Sequence, residues 1–325
     1  MSSIGNAPGG SLSQEYGTGI TDEVTDVKAS ASHRRTSPLV DSRDLRRRFL
    51  LARHEAGFAT RKAAADALGF SLRKLDLIET GERSLLGRDL DRVFEAYEVP
   101  AGEQAEWRRL AESARAKGWW DRLTTADASP GAKRWAAYEW GARSIRGYSG
   151  PVVPGLLQTD AYTEAMFEAG LSTRSPEERR RFAALKALRR TVLDPPDPLG
   201  YHVVFDESVL HRVVAPPLMA DQVAHIVEVV ASHPDVTVQV VPFSAGLFPN
   251  IASVFTLVDF GIDGDDGLVN LEPDLASSVY VDDFAQVAKY SRIFETMVRE
   301  VAASPSDTVA MLRRSHGTLR KGRRG

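Results

Sequence analysis

The 325-residue chain contains no cysteine. That removes disulfides, thiolate nucleophiles and cysteine-built zinc sites together. No uninterrupted apolar run approaches the ~18 residues a membrane span needs, so no membrane association is expected. The first 42 residues lack a basic stretch followed by an apolar core, so no secretory signal is read there and a cytoplasmic location is the expectation. The seven histidines include no His-Glu-x-x-His pair, and His202 and His211 read as packing or surface residues. Asp263-Gly-Asp-Asp-Gly267 puts Leu268 where a calcium loop needs glycine, so it reads as an exposed turn. Phe243-Ser-Ala-Gly246 follows Pro242 and so lacks the first glycine of a nucleophile elbow. Without a catalytic constellation, the expectation is a protein that is not an enzyme and needs no metal or cofactor.

What is present is an uneven charge. The net charge of −3 conceals nine Arg and Lys against three acids between Arg43 and Lys74, a local excess of +6. From Trp119 to Leu312 there are 16 basic and 26 acidic residues. The last 13 residues carry six basic side chains and no acid. Such segregation points to one small segment facing a polyanion and a larger one that does not.

A length of 325 residues, at roughly 150 per domain, suggests about two domains. Residues 1–40, rich in Ser, Gly and Thr, read as a disordered tail. Residues 41–99 read as a set of short helices, the first capped by Asp41-Ser42 and ending at Gly57, the next two capped by Thr60 and Ser71 and stopped by Gly69 and Gly81. A linker helix is expected within 100–118, and an α+β domain over 119–312. In that domain, helices are expected at 133–148, 160–169, 176–193 and 217–231, with a closing helix after Asp283. Strands are expected at 201–206, 236–242, 252–260, 267–271 and 277–281. Residues 313–325 read as a basic disordered tail.

Arg61 to Thr80 has the pattern of a helix-turn-helix. Two helices crossing over a tight turn need a small residue at the crossing, met by Ala65, and a positive-φ residue in the turn, met by Gly69. Ala64, Leu68, Phe70, Leu75 and Ile78 fall at the inward offsets. The outward face of the second helix is then Ser71, Leu72, Arg73, Lys74, Asp76 and Leu77. In such modules the start of this helix enters the major groove. Arg73 is expected to grip guanine, Ser71 to bond a base or phosphate, and Leu72 or Leu77 to pack on a thymine methyl. Arg61, Lys62, Lys74 and Arg83 are placed for phosphates. Asp76 either accepts from a cytosine amino group or pairs with Lys74 or Arg73. Taken singly, each basic residue reads as a solvated helix face; together with the helical pattern they point to double-stranded DNA.

Residues 44–99 resemble the Xre-type, lambda-repressor-like helix-turn-helix family, whose third helix commonly ends in Ile-Glu-x-Gly; here Ile78-Glu79-Thr80-Gly81 is followed by Glu82-Arg83. The resemblance implies a structural role for Glu79. Arg61 stands where Gln is frequent, and Asp76-Leu77 replaces a commonly polar or basic pair. Gly118-Trp-Trp120, Ser144-Ile-Arg146, Val153-Pro-Gly-Leu-Leu-Gln-Thr159 and Val240-Val-Pro-Phe-Ser-Ala-Gly246 extend the resemblance, over about residues 44–312, to actinobacterial regulators that include WhiJ-like proteins. That resemblance implies a transcription factor with a partner- or ligand-sensing domain and a possible small acidic partner protein, in an antitoxin-like arrangement. A homodimer is expected because one module reads only a short half-site. The rival expectation is an antitoxin-like interaction module that masks a small partner. The Val153–Thr159 segment and the aromatics Trp119, Trp120, Trp135, Tyr138 and Trp140 read either as pocket or groove lining or as core.

Overall fold

The computed structural model describes residues 35–123, 128–171, 175–212, 215–248, 251–272 and 278–321. The first unit comprises helices α1 (Pro38–Glu55), α2 (Arg61–Leu68), α3 (Leu72–Thr80), α4 (Leu90–Ala96) and α5 (Ala101–Ser113). Its core is formed by Leu45, Phe49, Ala64, Ala65, Leu68, Leu75, Ile78 and Leu90, closed by Trp107 and Leu110. The local signals act as expected. Thr60 Oγ1 accepts from the Ala63 amide and Ser71 Oγ from the Lys74 amide, each meeting an orphan donor of a first turn. Gly69 takes φ +62° and Gly81 φ +81°, left-handed conformations that other residues adopt at a cost.

Three expectations need correction here. Helix α1 starts at Pro38 rather than after an Asp41-Ser42 cap, with Pro38 supplying a preset φ in its first turn. Residues 35–40, expected in the tail, are packed: Ser37 Oγ donates to the Ala137 carbonyl at 2.7 Å, and Arg35 reaches Asp197 and the Ala142 carbonyl. Residues 1–34 of that tail lie outside the described residues. The expected linker helix is instead part of the first core, because Trp107, Leu110 and Ala111 recur on one face and bury there.

The second unit is an α+β domain built on one six-stranded sheet in the order β3-β2-β1-β4-β5-β6. The strands are β1 (Ser144–Tyr148), β2 (Gly200–Asp206), β3 (Val236–Val241), β4 (Phe255–Asp259), β5 (Leu268–Leu271) and β6 (Val279–Val281). The first three pair in parallel and the last three add antiparallel. The helices are α6 (Pro130–Gly141), α7 (Asp160–Met166), α8 (Pro176–Arg190), α9 (Ser208–His211), α10 (Pro216–Ser232), α11 (Phe284–Thr296) and α12 (Pro305–Lys321). One sheet face packs into a core with Leu156, Leu157, Met219, Val223, Ile226 and Leu312; the other meets Val287 and Phe294 of α11. Trp119 and Trp120 bury against α6 and α8, so the core reading holds for them, as it does for Leu156 and Leu157.

Two further expectations fail. The helix expected over 133–148 stops at Gly141, and Ser144–Tyr148 becomes the central strand, bracketed by β2 and β4. The basic end is not a tail: α12 runs to Lys321, fixed by fully buried Leu312 and by Thr308, whose Oγ1 accepts from the Val240 amide. Residues 322–325 lie outside the described residues. Among the described residues, no helix is long and apolar enough to cross a membrane.

Helix α1 joins the two units. Its first turn contributes Val40 to the sheet-domain core, and its later turns supply Leu45 and Phe49 to the helical core. Arg43 holds Asp265 through both Nε (2.9 Å) and Nη2 (2.8 Å), donates to the Gly267 carbonyl, and lies over Phe260. Arg43 also pairs with Asp282 at 3.2 Å, and Arg47 Nε donates to the Asp263 carbonyl. The Asp263–Gly267 turn leaves Asp263, Gly264 and Asp266 exposed, as expected, while Asp265 and the Gly267 carbonyl dock on α1.

Candidate nucleic-acid interface

The helix pair α2–α3 is held from beneath by one buried carboxylate. The Glu79 side chain is 1% exposed and sits between Arg53 (3.0 Å) and Arg61 (2.7 Å). This is the structural part expected of the Glu in the Ile-Glu-x-Gly pattern. The hydrogen bond and charge of Glu79 raise the Arg61 pKa above its usual value. Burial, and then the Glu79 charge, push the Tyr97 phenol far above its normal range. Arg53 and Tyr97 were not singled out from sequence, because nothing local marks which side chains a buried acid will meet.

The predicted contact residues fall into two groups. Ser71, Leu72 and Arg73 form the first turn of α3 and are exposed, Leu72 by 47%. Arg83, just past the helix, is exposed as well. Among the described residues, no carboxylate pairs with Arg73 or Arg83. The others are engaged within the fold. Arg61 is anchored on Glu79 and also lies 3.6 Å from Asp76, so Asp76 pairs with Arg61 rather than with Lys74 or Arg73. Lys74 pairs with Asp89 at 2.9 Å and caps the Phe70 ring at 3.5 Å. Leu77 is half-buried, and its carbonyl accepts from the Arg83 amide. Lys62 pairs with Asp66 at 2.9 Å, but both side chains are well exposed, and an open (i, i+4) pair of this kind is readily exchanged for another anion.

One cation missed in the sequence belongs with this surface. Arg92, exposed at the start of α4, places its Nη1 3.7 Å from where a Cβ on Gly69 would sit, at the turn that leads into α3. The Leu90-Asp-Arg92 stretch carried no motif, and only the packing of α4 beneath the turn brings it there. Burial of α3 is confined to Leu75, Ile78 and Glu79, so its opening turn stays open to a partner. The sheet domain docks on Arg43 and Arg47 of α1, and Arg46 of the same helix donates to the Thr80 carbonyl at the other end of α3.

No group of histidines and carboxylates suited to a metal occurs among the described residues. His202 bonds Gln239 at 2.8 Å and packs on Phe294, whereas His211 lies by Glu207 and Phe243, so the two serve separate places.

The family model described as "Domain of unknown function (DUF5753)" matches residues 132–314, more than half of the chain. The chain belongs to this family. The matched span covers the sheet domain from α6 into α12, and the helical unit that carries α2 and α3 lies outside it. No curated protein and no solved structure matches the chain.

Proposed function

We propose that this chain is a sequence-specific DNA-binding transcriptional regulator that is not an enzyme. Its helix-turn-helix enters the major groove, and its DUF5753 domain dimerises and senses a ligand or partner. The supporting observation is the opening turn of α3: Ser71, Leu72 and Arg73 are exposed side by side, and among the described residues Arg73 has no counter-ion, whereas neighbouring Arg61 and Lys74 are paired. Arg73 reads a base, and Lys62, Arg83 and Arg92 hold phosphates, so affinity comes from few ionic contacts and specificity from the α3 turn.

The test is selection of bound duplexes from fragmented genomic DNA by the full-length protein, followed by titration of the selected site. Arg73→Ala is expected to weaken binding by about tenfold or more, from a contact worth ~1–3 kcal/mol, and to relax preference at one base pair. A protein that selects no sequence, or an Arg73→Ala variant with unchanged affinity and preference, overturns the reading. A second reading is an antitoxin-like module that masks a small partner protein. It is favoured by Phe243, Leu247 and Ile251, large apolar side chains left exposed on the segment after β3, with Leu247 93% exposed. Stoichiometric co-purification of a small protein without retention of DNA decides for it.

A further inference from the structure

Helix α12 has two faces of different character. Thr308 and Leu312 are fully buried, and Met311 and Leu319 pack beside them on the core that includes Met219 and Val223 of α10. At ~100° per residue the opposite side is centred on Gly317, and Arg313, Arg314, Arg320 and Lys321 all fall within about 60° of it. These four cations are exposed. Among the described residues, no carboxylate pairs with any of them, and the helix carries no acid after Asp307 in its first turn. The arginines of α8 in the same domain are different, since Arg179, Arg189 and Arg190 each hold a carboxylate.

Two ordinary explanations fall short. Cations in a last turn offset the helix dipole, which accounts for Arg320 and Lys321, but that effect fades within a turn and does not reach Arg313 and Arg314. Gly317 is not there for packing, since nothing lies within 4 Å of where its Cβ would sit. A glycine inside a helix lowers its stability, and at the middle of the cationic face it leaves the backbone open to close approach from outside. The two pairs of cations stand about 10 Å apart along the axis, close to three phosphates of one DNA strand at ~3.4 Å each.

We propose that the outer face of α12 is a second, sequence-independent binding surface, and that its occupant is the phosphate backbone of duplex DNA. Charge complementarity carries the assignment: three guanidinium forks and an ammonium, unopposed by any acid, suit phosphate oxygens. The next residues in sequence, Gly-Arg-Arg-Gly, add two cations and no acid. An anionic membrane is the poorer fit. A helix lying on lipid sinks a Trp, Phe or Leu face into it, whereas the apolar face of α12 is used inside the domain and its cationic face holds no large apolar side chain. The choice of DNA as the occupant rests on the function proposed above, but the surface itself lies elsewhere. The helical unit docks at the turn between β4 and β5, and α12 packs on β3, three strand spacings or more away, ~14 Å at ~4.8 Å each. Helix α12 therefore serves DNA beyond the segment read by α3.

The test titrates full-length protein with a random-sequence duplex of about 40 base pairs between about 50 and 200 mM salt. The variant carries Arg313→Gln, Arg314→Gln, Arg320→Gln and Lys321→Gln together. Removing four phosphate contacts should lower the slope of log affinity against log salt by about three to four, so that over this range the native protein loses roughly a hundredfold more affinity than the variant. Arg313→Lys, Arg314→Lys and Arg320→Lys together should keep most of the native slope, which separates lost charge from a damaged helix. A glutamine variant with an unchanged slope that still selects a sequence overturns the proposal and leaves the reading of α3 standing. A lowered slope in a protein that selects no sequence supports the proposal and overturns the other. Native protein that binds phosphatidylserine vesicles but not the duplex overturns DNA as the occupant.

Discussion

Replacing Asp265 by Asn tests how the two domains are held together. The substitution keeps the shape of the side chain and removes its charge. In the native fold the Asp265 side chain is 9% exposed and the Arg43 side chain 13%, so most of the water that would stabilise either charge alone is absent. Removing one member of a well-buried pair typically costs ~3–5 kcal/mol, because the other charge is left without a partner. Here Asp282 still faces Arg43 at 3.2 Å, and the Gly267 carbonyl still accepts from it, which lowers the expected loss to about 2–3 kcal/mol. That corresponds to a drop of roughly 5–10 °C in the melting temperature of a domain of this size. The assay is urea unfolding followed by both tryptophan fluorescence and far-ultraviolet circular dichroism. In the native protein the two signals should change together, because α1 is shared by both cores. In Asp265→Asn they should separate, with one unit unfolding earlier. A double variant, Arg43→Met with Asp265→Leu, should recover much of the loss, since it leaves no buried charge unpaired. If Asp265→Asn unfolds within about 0.5 kcal/mol of the native protein, and with coincident signals, the turn is an ordinary surface contact and the docking argument fails.

Glu79→Ala should destabilise the helical unit by about 2–4 kcal/mol, because Arg53 loses its buried partner, whereas Arg61→Ala should cost under about 1 kcal/mol since Arg61 is half-exposed; thermal melts that rank the two in reverse refute this. Ala65→Leu should destabilise by roughly 1–3 kcal/mol through overpacking at the α2–α3 crossing, seen as a lowered urea midpoint, and a neutral result would place Ala65 off that crossing. Lys62→Ala should reduce the salt dependence of DNA binding by about one phosphate contact while leaving stability unchanged, and an unaltered slope removes Lys62 from the phosphate set. Lys186 sits near 7 in the fold and near 10.5 when unfolded, so the unfolded chain binds more protons between these values. The stability contributed by the neutral amine is therefore complete above about pH 10.5 and lost as pH falls towards 7. The difference in unfolding free energy between native protein and Lys186→Met should grow in favour of the native protein from pH 7 to pH 10, and a flat difference refutes it.

The short helices α2 and α3 were legible because their signals are local. A serine or threonine cap acts within three residues, a left-handed glycine acts on its own φ, and Ala64, Leu68, Leu75 and Ile78 repeat at helical spacing. Strand β1 was not legible. Ser144-Ile-Arg-Gly-Tyr148 follows a helix with no proline or glycine pair between them, and its strand character comes from β2 and β4 on either side, 52 or more residues away in sequence. Gly147 is part of that placement: a Cβ there would come within 2.4 Å of the Phe255 carbonyl oxygen, so the close approach of β4 depends on its absence. Helix α12 was hidden for a different reason. Six basic residues in its last stretch and beyond suggested a solvated tail, whereas the ordering comes from Thr308 and Leu312 seated against β3 and α10.

Charge misled in the most informative way. The excess of +6 between Arg43 and Lys74 suggested a surface aimed at a polyanion, yet Arg43, Arg53, Arg61 and Lys74 all meet carboxylates of this same chain, two of them beyond residue 260. Composition cannot reveal partners more than 200 residues away in sequence, and a local charge count treats a cation locked on aspartate as equal to a free one. What separates them is burial: Arg43 and Arg53 lie mostly out of water and cannot leave their acids without stranding a charge, whereas Arg73, Arg83 and Arg92 are exposed and Lys62 is held only by an open pair. The cations available to an outside anion are thus few, and they gather about the opening turns of α2 and α3 and the loop that follows. A duplex bound there would release only a handful of counter-ions, and its affinity should fall gently with salt rather than steeply. A steep salt dependence would mean that the buried pairs open on binding, which the packing of Glu79 and Asp265 does not allow.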